Sequence, residues 1–241
     1  MKRFTNLAEA YAEICATPAP MQARLEAYAS QLRHLNAPLA SAYDELVARL
    51  SAGKAGKDAP AIGDAMPPFL APDQNGRLVS LAAMIADGPL IVSCNRGNWC
   101  AFCRIELRTL TEAHERFSSM GARVVSIMPE RQQFVAELVR EFAPPFPILT
   151  DLDNSYALEL GLTFWIGERL TALLRETNLS LSDHHGNDAW FLPIPATFVV
   201  GRDGRVKARI IDPDFRNRME IDDIMEALRV YLETGASEWR R

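Results

Sequence analysis

The fold of this chain is decided by one stretch, PLIVSCNRGNWCAFCRIELRTL, which runs from Pro89 to Leu110. Its first six residues are a short apolar run with β-branched side chains, typical of a strand buried on both faces. A glycine and two asparagines follow and predict a turn. From Trp99 onward the apolar residues recur at helical spacing. The stretch therefore predicts a strand, a loop and a helix, with Cys100 and Cys103 in the first turn of the helix.

This position of the two cysteines suits thiol chemistry. A helix N-terminus carries roughly half a positive charge and several unpaired N–H donors, and both stabilise the thiolate, which is the form that attacks. Residues three apart lie on one helix face with Cβ atoms roughly 5–6 Å apart. A modest adjustment therefore closes a disulfide, whose Cβ separation is about 3.8 Å. We predict that Cys100 is the attacking thiol and Cys103 its partner.

Two other interpretations of the cysteine pair stay open on the residues alone. The pair could be half of a zinc site completed by His184 and His185, although adjacent histidines are not the usual ligand spacing and a helix N-terminus repels a cation. The two cysteines could also be inert buried residues, which leaves their position after a strand unexplained. We expect no metal and no other cofactor.

Residues 96–103, RGNWCAFC, together with Glu106 and Leu107, resemble the redoxin group of the thioredoxin superfamily. The similarity is greatest to the peroxiredoxin-like branch, which is related to the alkyl hydroperoxide reductase and thiol-specific antioxidant (AhpC/TSA) proteins. It extends over residues 61–233. The resemblance implies an α/β thioredoxin-like fold, with a central mixed sheet flanked by helices and the active cysteine at the start of the first helix of the domain.

Composition narrows the class of protein. The chain has 241 residues, 48% of them hydrophobic and 24% charged, with a net charge of −5. This charge provides no basic field for a nucleic acid or an anionic membrane surface. No apolar run approaches the length that spans a bilayer, and the N-terminus lacks the apolar core of a secretory signal. Four cysteines in so long a chain are not a disulfide scaffold, so we expect a cytoplasmic protein whose cysteines cycle.

The chain divides into two predicted parts. Residues 1–56 carry three apolar stripes at helical spacing, interrupted by prolines, and predict an N-terminal helical extension that packs on the domain or on a second subunit. A homodimer is therefore open. The small, glycine-containing segment Ser51 to Asp58 is the predicted linker. Residues 61–236 form the predicted thioredoxin-like domain, in which strands and helices alternate as in a parallel sheet.

Residues 151–190 exceed what a minimal thioredoxin fold needs. Within them, residues 176–188 have the composition of an exposed loop, on which we expect His184 and His185 to be solvated. Cys94 ends the strand before residues 95–98, the active loop that leads to Cys100. Its simplest interpretation is a buried strand residue, and the alternative of a second redox role stays open.

Residues 191–200 contain the segment Ile194-Pro195-Ala-Thr197, which resembles the cis-proline loop of thioredoxin-like proteins. The resemblance implies a cis bond before Pro195, with this proline packed against Cys100. Trp99 and Pro195 are then expected to shield the disulfide from opposite sides.

The resemblance implies a thiol-dependent peroxidase that reduces hydrogen peroxide or organic hydroperoxides through a Cys-x-x-Cys dithiol/disulfide cycle. A thioredoxin-like protein or a small thiol would return the electrons. Two alternatives stay open: a dithiol–disulfide oxidoreductase, and a redox sensor without peroxidase activity.

The sequence departs from the peroxiredoxin pattern at three positions. Ser93 and Gly97 stand where the family has a proline and a threonine or serine, seven and three residues before the peroxidatic cysteine, and Pro195 stands near the place of the family's arginine. The nearest substitutes for that arginine are Arg96 and Arg104, either of which could hold a thiolate or polarise a leaving oxygen.

Overall fold

A computed structural model describes residues 4–177 and 179–238. The chain begins with three helices. Asn6 and Asn36 cap the first and third, because their side chains accept hydrogen bonds from the backbone N–H groups of Glu9 and Leu39, at 2.9 and 3.1 Å. The three helices are α1 (Leu7–Ala16), α2 (Met21–Leu35) and α3 (Ala37–Ala52).

The rest of the chain alternates strands and helices. Up to the middle of the chain these are β1 (Leu70–Pro72), β2 (Leu78–Ser80), α4 (Leu81–Ile85), β3 (Leu90–Cys94), α5 (Ala101–Glu112), α6 (His114–Ser119), β4 (Arg123–Met128), α7 (Gln132–Phe142) and β5 (Ile148–Thr150). A 3₁₀ turn (Leu152–Asn154) then leads into α8 (Ser155–Glu159), β6 (Thr163–Trp165), α9 (Glu168–Glu176), α10 (Leu181–His185), β7 (Phe191–Pro193), β8 (Ala196–Val200), β9 (Val206–Ile211) and α11 (Ile221–Glu238).

The central sheet has the strand order β5-β4-β3-β8-β9 among the described residues. β3 pairs in parallel with β4 and antiparallel with β8, so the sheet is mixed, as expected for a thioredoxin-like fold. Every residue of β3 and β8 is buried, which agrees with the apolar runs in their sequences. The register places Cys94 beside Ile127 and Ala196, so the end of β3 and the active loop lie next to the start of β8.

The N-terminal helices pack on the domain. Arg24 on α2 is buried and donates to Glu112 Oε2 at 2.8 Å and to the Thr109 hydroxyl at 3.3 Å, both on α5. Tyr28 makes an edge-to-face contact with Phe102, whose ring centroid is 5.2 Å away. These helices share one hydrophobic core with the sheet. The extension therefore covers the helix that carries the two cysteines.

Two expectations from the sequence are wrong. Residues 176–188 are not an exposed loop, because Leu181–His185 form a helix in which Leu181 and His185 are buried. The Ile194–Pro195 bond is not cis, because every peptide bond between residues that the structure describes is trans. Pro195 is nevertheless buried, immediately before the residue of β8 that pairs with Cys94.

None of the described helices is both long and apolar enough to cross a membrane.

Candidate active site

The active loop connects β3 to α5 and depends on a glycine. Gly97 has a φ of +137°, and a Cβ at this position would lie 2.6 Å from Glu130 Oε1 and 2.8 Å from Trp99 Nε1. Any other residue would therefore be strained and would also collide with its neighbours. This explains why glycine stands at the position where the peroxiredoxin pattern has threonine or serine.

Cys100 is the N-cap residue of α5. Its Sγ accepts a hydrogen bond from the backbone N–H of Cys103 at 3.4 Å, and Cys103 is the third residue of the helix. The two cysteines are therefore at the helix N-terminus, as the sequence predicts. Both are unbonded thiols in this structure, and both are buried, with exposed fractions of 2% for Cys100 and 0% for Cys103.

Two arginines contact the two sulfurs. Arg96 Nη2 donates to Cys100 Sγ at 3.0 Å, and the backbone N–H of Arg96 donates to Cys103 Sγ at 3.4 Å. Arg218, from the loop before α11, approaches Cys103 Sγ with Nη2 at 3.6 Å. The dithiol is therefore held between two guanidinium groups and a helix N-terminus, all of which favour a negative sulfur.

The pKa values of the two thiols are shifted in opposite directions by their surroundings. Burial alone would raise the pKa of Cys100, but the hydrogen bond with Cys103 and the positive charges of Arg96 and Arg218 outweigh burial and lower the pKa below its usual range. Burial raises the pKa of Cys103, and the neighbouring Cys100 thiolate raises it further. These opposite shifts favour Cys100 over Cys103 as the thiolate of the reduced site, in the order that our prediction of the attacking thiol requires.

An aromatic cage surrounds Arg96, which is completely buried. The guanidinium carbon lies 3.7 Å from the ring centroid of Phe215, 5.3 Å from that of Trp99 and 5.6 Å from that of Tyr43. Aromatic faces attract a cation, so the cage holds the guanidinium in place without neutralising it. Its Nε and Nη1 make no hydrogen bond, and the thiol sulfur of Cys100 is its side-chain partner.

Arg104, the other predicted substitute for the family's arginine, has different partners. It donates to Asn98 Oδ1 at 2.6 Å and forms an ion pair with Glu141. Its guanidinium carbon also lies 5.1 Å from the ring centroids of Tyr11 and Phe142. These partners hold Arg104 beside the active loop, where it braces Asn98.

A buried ion pair lies beneath Cys103. Glu106 accepts a hydrogen bond from Arg218 Nη1 at 2.8 Å and further bonds from the hydroxyls of Ser93 at 3.0 Å and Thr197 at 3.1 Å. All of these residues are almost fully buried. A buried charge is tolerated when it is paired and hydrogen-bonded. Glu106 therefore positions Arg218 at the Cys103 sulfur, and Ser93 takes part in this network.

A cavity of about 470 Å³ leads to Cys100. Arg96 and Trp99 line it close to Cys100, and its walls come largely from outside the central sheet. Leu32 and Leu39 of the N-terminal helices form one side. The insertion, which is the segment of residues 151–190 that a minimal thioredoxin fold lacks, contributes residues from α9 and α10. Trp99 lies at the cavity beside Cys100, whereas Pro195 is not among the lining residues, and the shielding of a disulfide by these two residues stays a prediction.

Sequence reasoning missed the contact between Glu130 and His184 next to the active loop. The side chain of Glu130 is completely buried, and its Oε1 lies 2.7 Å from Nδ1 of His184, which stacks on Phe134 with 3.8 Å between ring centroids. The backbone N–H of Arg131 also donates to the His184 carbonyl at 2.7 Å. The insertion is thus attached to the residues that crowd the active loop. No short motif signals this contact, because its partners are far apart in the chain.

The neighbouring His185 is only 3% exposed, and we expect its burial to make the stability of the protein depend on pH. Burial, followed by the proximity of His184, lowers its pKa to about 4, from an ordinary value of about 6.5. As the pH falls, the unfolded chain therefore protonates His185 before the folded chain does. The contribution of neutral His185 to the free energy of unfolding is present above pH ~6.5 and is lost as the pH falls towards 4. We expect His185→Gln to lose about 2 kcal/mol less stability than the unmodified protein between pH 7 and pH ~4.5.

Urea denaturation at the two pH values measures this difference. Substitution of the exposed His34 by Gln is the matched control and should leave the pH dependence unchanged. An equal loss of stability in His185→Gln and in the unmodified protein would show that His185 is not neutral in the folded state.

Comparisons with known proteins agree with this architecture. Residues 62–209 match the model of the AhpC/TSA family. A chloroplastic peroxiredoxin Q of Sedum lineare is 25% identical over 167 residues, covering 69% of this chain and 77% of the relative. The thiol-disulfide oxidoreductase ResA of Bacillus subtilis is 26% identical over 101 residues, covering 42% of this chain and 55% of the relative.

Solved structures show the same fold. Peroxidoxin BcpB from Mycobacterium tuberculosis superposes with a TM-score of 0.55 at 20% identity, covering 71% of this chain and 97% of that protein. A cysteine-to-serine mutant of peroxiredoxin 6 from Arenicola marina gives 0.59 at 16% identity, covering 73% and 74%. The fold is therefore that of thioredoxin-like peroxiredoxins, and the match over residues 62–209 shows that this chain is an oxidoreductase that belongs to the AhpC/TSA family.

Proposed function

We propose that the chain is a thiol-dependent peroxidase in which Cys100 attacks the peroxide and Cys103 resolves the product. The observation that supports this most is the 3.0 Å contact between Arg96 Nη2 and Cys100 Sγ where the cavity reaches Cys100. A peroxide that approaches the sulfur there also approaches a guanidinium that can accept developing negative charge. Arg96 thereby takes the role of the arginine that the family carries near the position of Pro195.

In the first step the Cys100 thiolate attacks one oxygen of the O–O bond. The bond breaks, the sulfur becomes a sulfenic acid, and the electron pair leaves on the other oxygen as hydroxide or alkoxide. The guanidinium of Arg96 stabilises this charge by hydrogen bonding, and a proton from water completes the alcohol or water product.

In the second step the Cys103 thiol attacks the sulfenic sulfur. The S–O bond breaks, water leaves with the thiol proton, and the disulfide forms. Arg218 at 3.6 Å and the backbone N–H of Arg96 at 3.4 Å lower the cost of forming a Cys103 thiolate. A thiol reductant then returns two electrons to the disulfide.

A dithiol–disulfide oxidoreductase is the second candidate, because the relatives include the thiol-disulfide oxidoreductase ResA. The burial of both sulfurs argues against a protein disulfide as substrate, since such a substrate must bring its own sulfur into contact with Cys100. Peroxides are small enough to enter through the cavity. We therefore place the peroxidase first.

Stopped-flow tryptophan fluorescence of the reduced protein mixed with hydrogen peroxide tests the proposal, with Trp99 as the reporter and Trp99→Phe as the optical control. We expect a second-order rate constant at least about 100-fold above that of a free thiol with the same thiolate fraction, the order of effect of a positioned donor. A rate equal to that of the free thiol would remove the peroxidase and favour disulfide exchange.

A further inference from the structure

Oxidation leaves Arg96 without an anion. In the reduced site its guanidinium donates to the Cys100 sulfur, while Nε and Nη1 have no partner and the side chain is completely buried. A disulfide between Cys100 and Cys103 carries no charge. The oxidised site therefore contains a buried cation that has lost its anionic partner among the described residues, an arrangement that is unfavourable unless another anion takes its place.

Among the described residues, no carboxylate forms an ion pair with Arg96. Glu106 is paired with Arg218, and Glu130 is held by His184 through Oε1, while its Oε2 is buried and has no hydrogen-bond partner. No aspartate or glutamate is found among the described residues that line the cavity, whereas Arg104 and His184 both face it. An anion that neutralises Arg96 in the oxidised state would therefore come from the cavity that Arg96 lines, and Nε and Nη1, which are buried and have no hydrogen-bond partner, are the donors left for it.

The narrow route to Cys100 limits the size of the molecule that can carry this anion. Cys100 is 2% exposed, and helices from the N-terminal extension and from the insertion form the walls of the cavity that reaches it. A folded protein would have to displace these walls to bring its own cysteine to the disulfide. A volume of about 470 Å³ instead falls in the range that holds small organic ligands, roughly 300–1,000 Å³.

We propose that the reductant of the oxidised protein is a small thiol that bears a carboxylate, and that Arg96 binds this carboxylate. The inference rests on the proposed function, because it describes the other half of the same cycle. It identifies the class of reductant as a molecule of about tripeptide size or smaller, with its anionic group at Arg96 and its sulfur at Cys100.

The reduction balances with two molecules of this thiol. The first, as thiolate, attacks Cys100 Sγ, the S–S bond breaks, and the electron pair goes to Cys103, which then takes up a proton. The second thiolate attacks the outer sulfur of the resulting mixed disulfide and releases the Cys100 thiolate. Two thiols are thereby oxidised to one small disulfide, and the protein disulfide is reduced to the dithiol.

The test starts from protein oxidised with diamide, so that it does not depend on peroxidase activity. Reduction is followed by mass spectrometry after rapid alkylation, with 3-mercaptopropionate and with its uncharged amide. Each rate is divided by the rate of the same thiol with a small aromatic disulfide, which removes the difference in intrinsic reactivity. We expect the normalised rate to be about tenfold or more higher for the carboxylate.

The same ratio in two variants locates the effect. Arg96→Gln should bring the ratio to about one. Arg33→Gln, which makes the same charge change at an exposed site on α2, should keep the ratio of the unmodified protein. The comparison in the unmodified protein is decisive even if Arg96→Gln fails to fold.

Three results would overturn the inference: a ratio near one in the unmodified protein, a higher normalised rate for thioredoxin than for 3-mercaptopropionate at equal thiol concentration, or the absence of a Cys100–Cys103 disulfide after diamide. Failure of the peroxidase proposal has a separate signature, since the reduced protein would then react with peroxide no faster than a free thiol. A carboxylate preference would still be measurable in that case.

Discussion

Cys100→Ser is expected to abolish peroxide turnover, whereas Cys103→Ser is expected to leave one turnover per chain and no recycling by the disulfide route. The difference follows from the charges at the two sulfurs. Cys100 is the thiol that accepts the guanidinium hydrogen bond of Arg96 and opens on the cavity. Cys103 is completely buried behind it and has a raised pKa, so we expect it to react only after the sulfenic acid of the proposed cycle has formed.

The measurement has two parts. Peroxide consumed per chain is counted in the absence of reductant, and the sulfenic acid in Cys103→Ser is trapped with dimedone and located by mass spectrometry. Cys94→Ser is the matched control, because Cys94 is also buried nearby but burial raises its pKa, and it should turn over as the unmodified protein does. If alkylation below pH ~8.5, the usual pKa of a free thiol, modified Cys103 before Cys100, the two roles would be reversed.

Local sequence determines the part of the site that could be predicted. The apolar run that ends at Cys94, the turn and the helix form one continuous segment, and the structure confirms β3, the loop and α5 at those positions. Helix capping depends on neighbours within one turn, so the place of the two cysteines at the start of α5 is also a local property. The N-terminal helices, which hydrophobic periodicity predicted, and the mixed sheet, which the resemblance to thioredoxin-like proteins implied, are also confirmed.

Long-range contacts determine the part that could not be predicted. Arg218 and Glu106 form an ion pair across 112 positions of the chain, and nothing in the loop sequence around Arg218 indicates a buried cation. Charged residues are rarely buried unless they are paired, so sequence reasoning assigns them to the surface by default. The pairing itself becomes visible only when the fold brings α5 and the loop before α11 together.

The helix α10 shows the same limit. Its polar composition predicted an exposed loop, but Leu181 and His185 are buried because the segment packs over the active loop. A five-residue helix has too few positions to show a periodicity, and tertiary packing decides its conformation. The insertion is consequently part of the site, where His184 bonds Glu130 and lines the cavity.

The choice between Arg96 and Arg104 required side-chain geometry. Both are close to the cysteines in sequence, and both lie along the cavity. Arg96 donates to the Cys100 sulfur, whereas Arg104 is occupied by Asn98 and Glu141. We therefore expect Arg96, and not Arg104, to act on the attacking sulfur, although the sequence alone does not distinguish the two.

Arg96→Gln is expected to lower the second-order rate constant with peroxide by about 10²- to 10³-fold, the usual cost of losing one positioned donor to a developing anion. It is also expected to raise the pKa of Cys100, because the positive charge of Arg96 is among the interactions that outweigh burial. Stopped-flow rates over a pH series separate the two effects. At a pH where Cys100 is ionised in both proteins, the remaining difference reports stabilisation of the leaving oxygen alone.

Arg104→Gln is the matched comparison for this prediction, because it makes the same chemical change at the other arginine near the cysteines. It removes the contacts with Asn98 and Glu141 but none with a sulfur, so its effect on the rate constant should be much smaller. Circular dichroism establishes that both variants are folded. A larger loss in Arg104→Gln than in Arg96→Gln would transfer the catalytic role to Arg104, since a bracing role through Asn98 cannot exceed the loss of direct contact with the attacking sulfur.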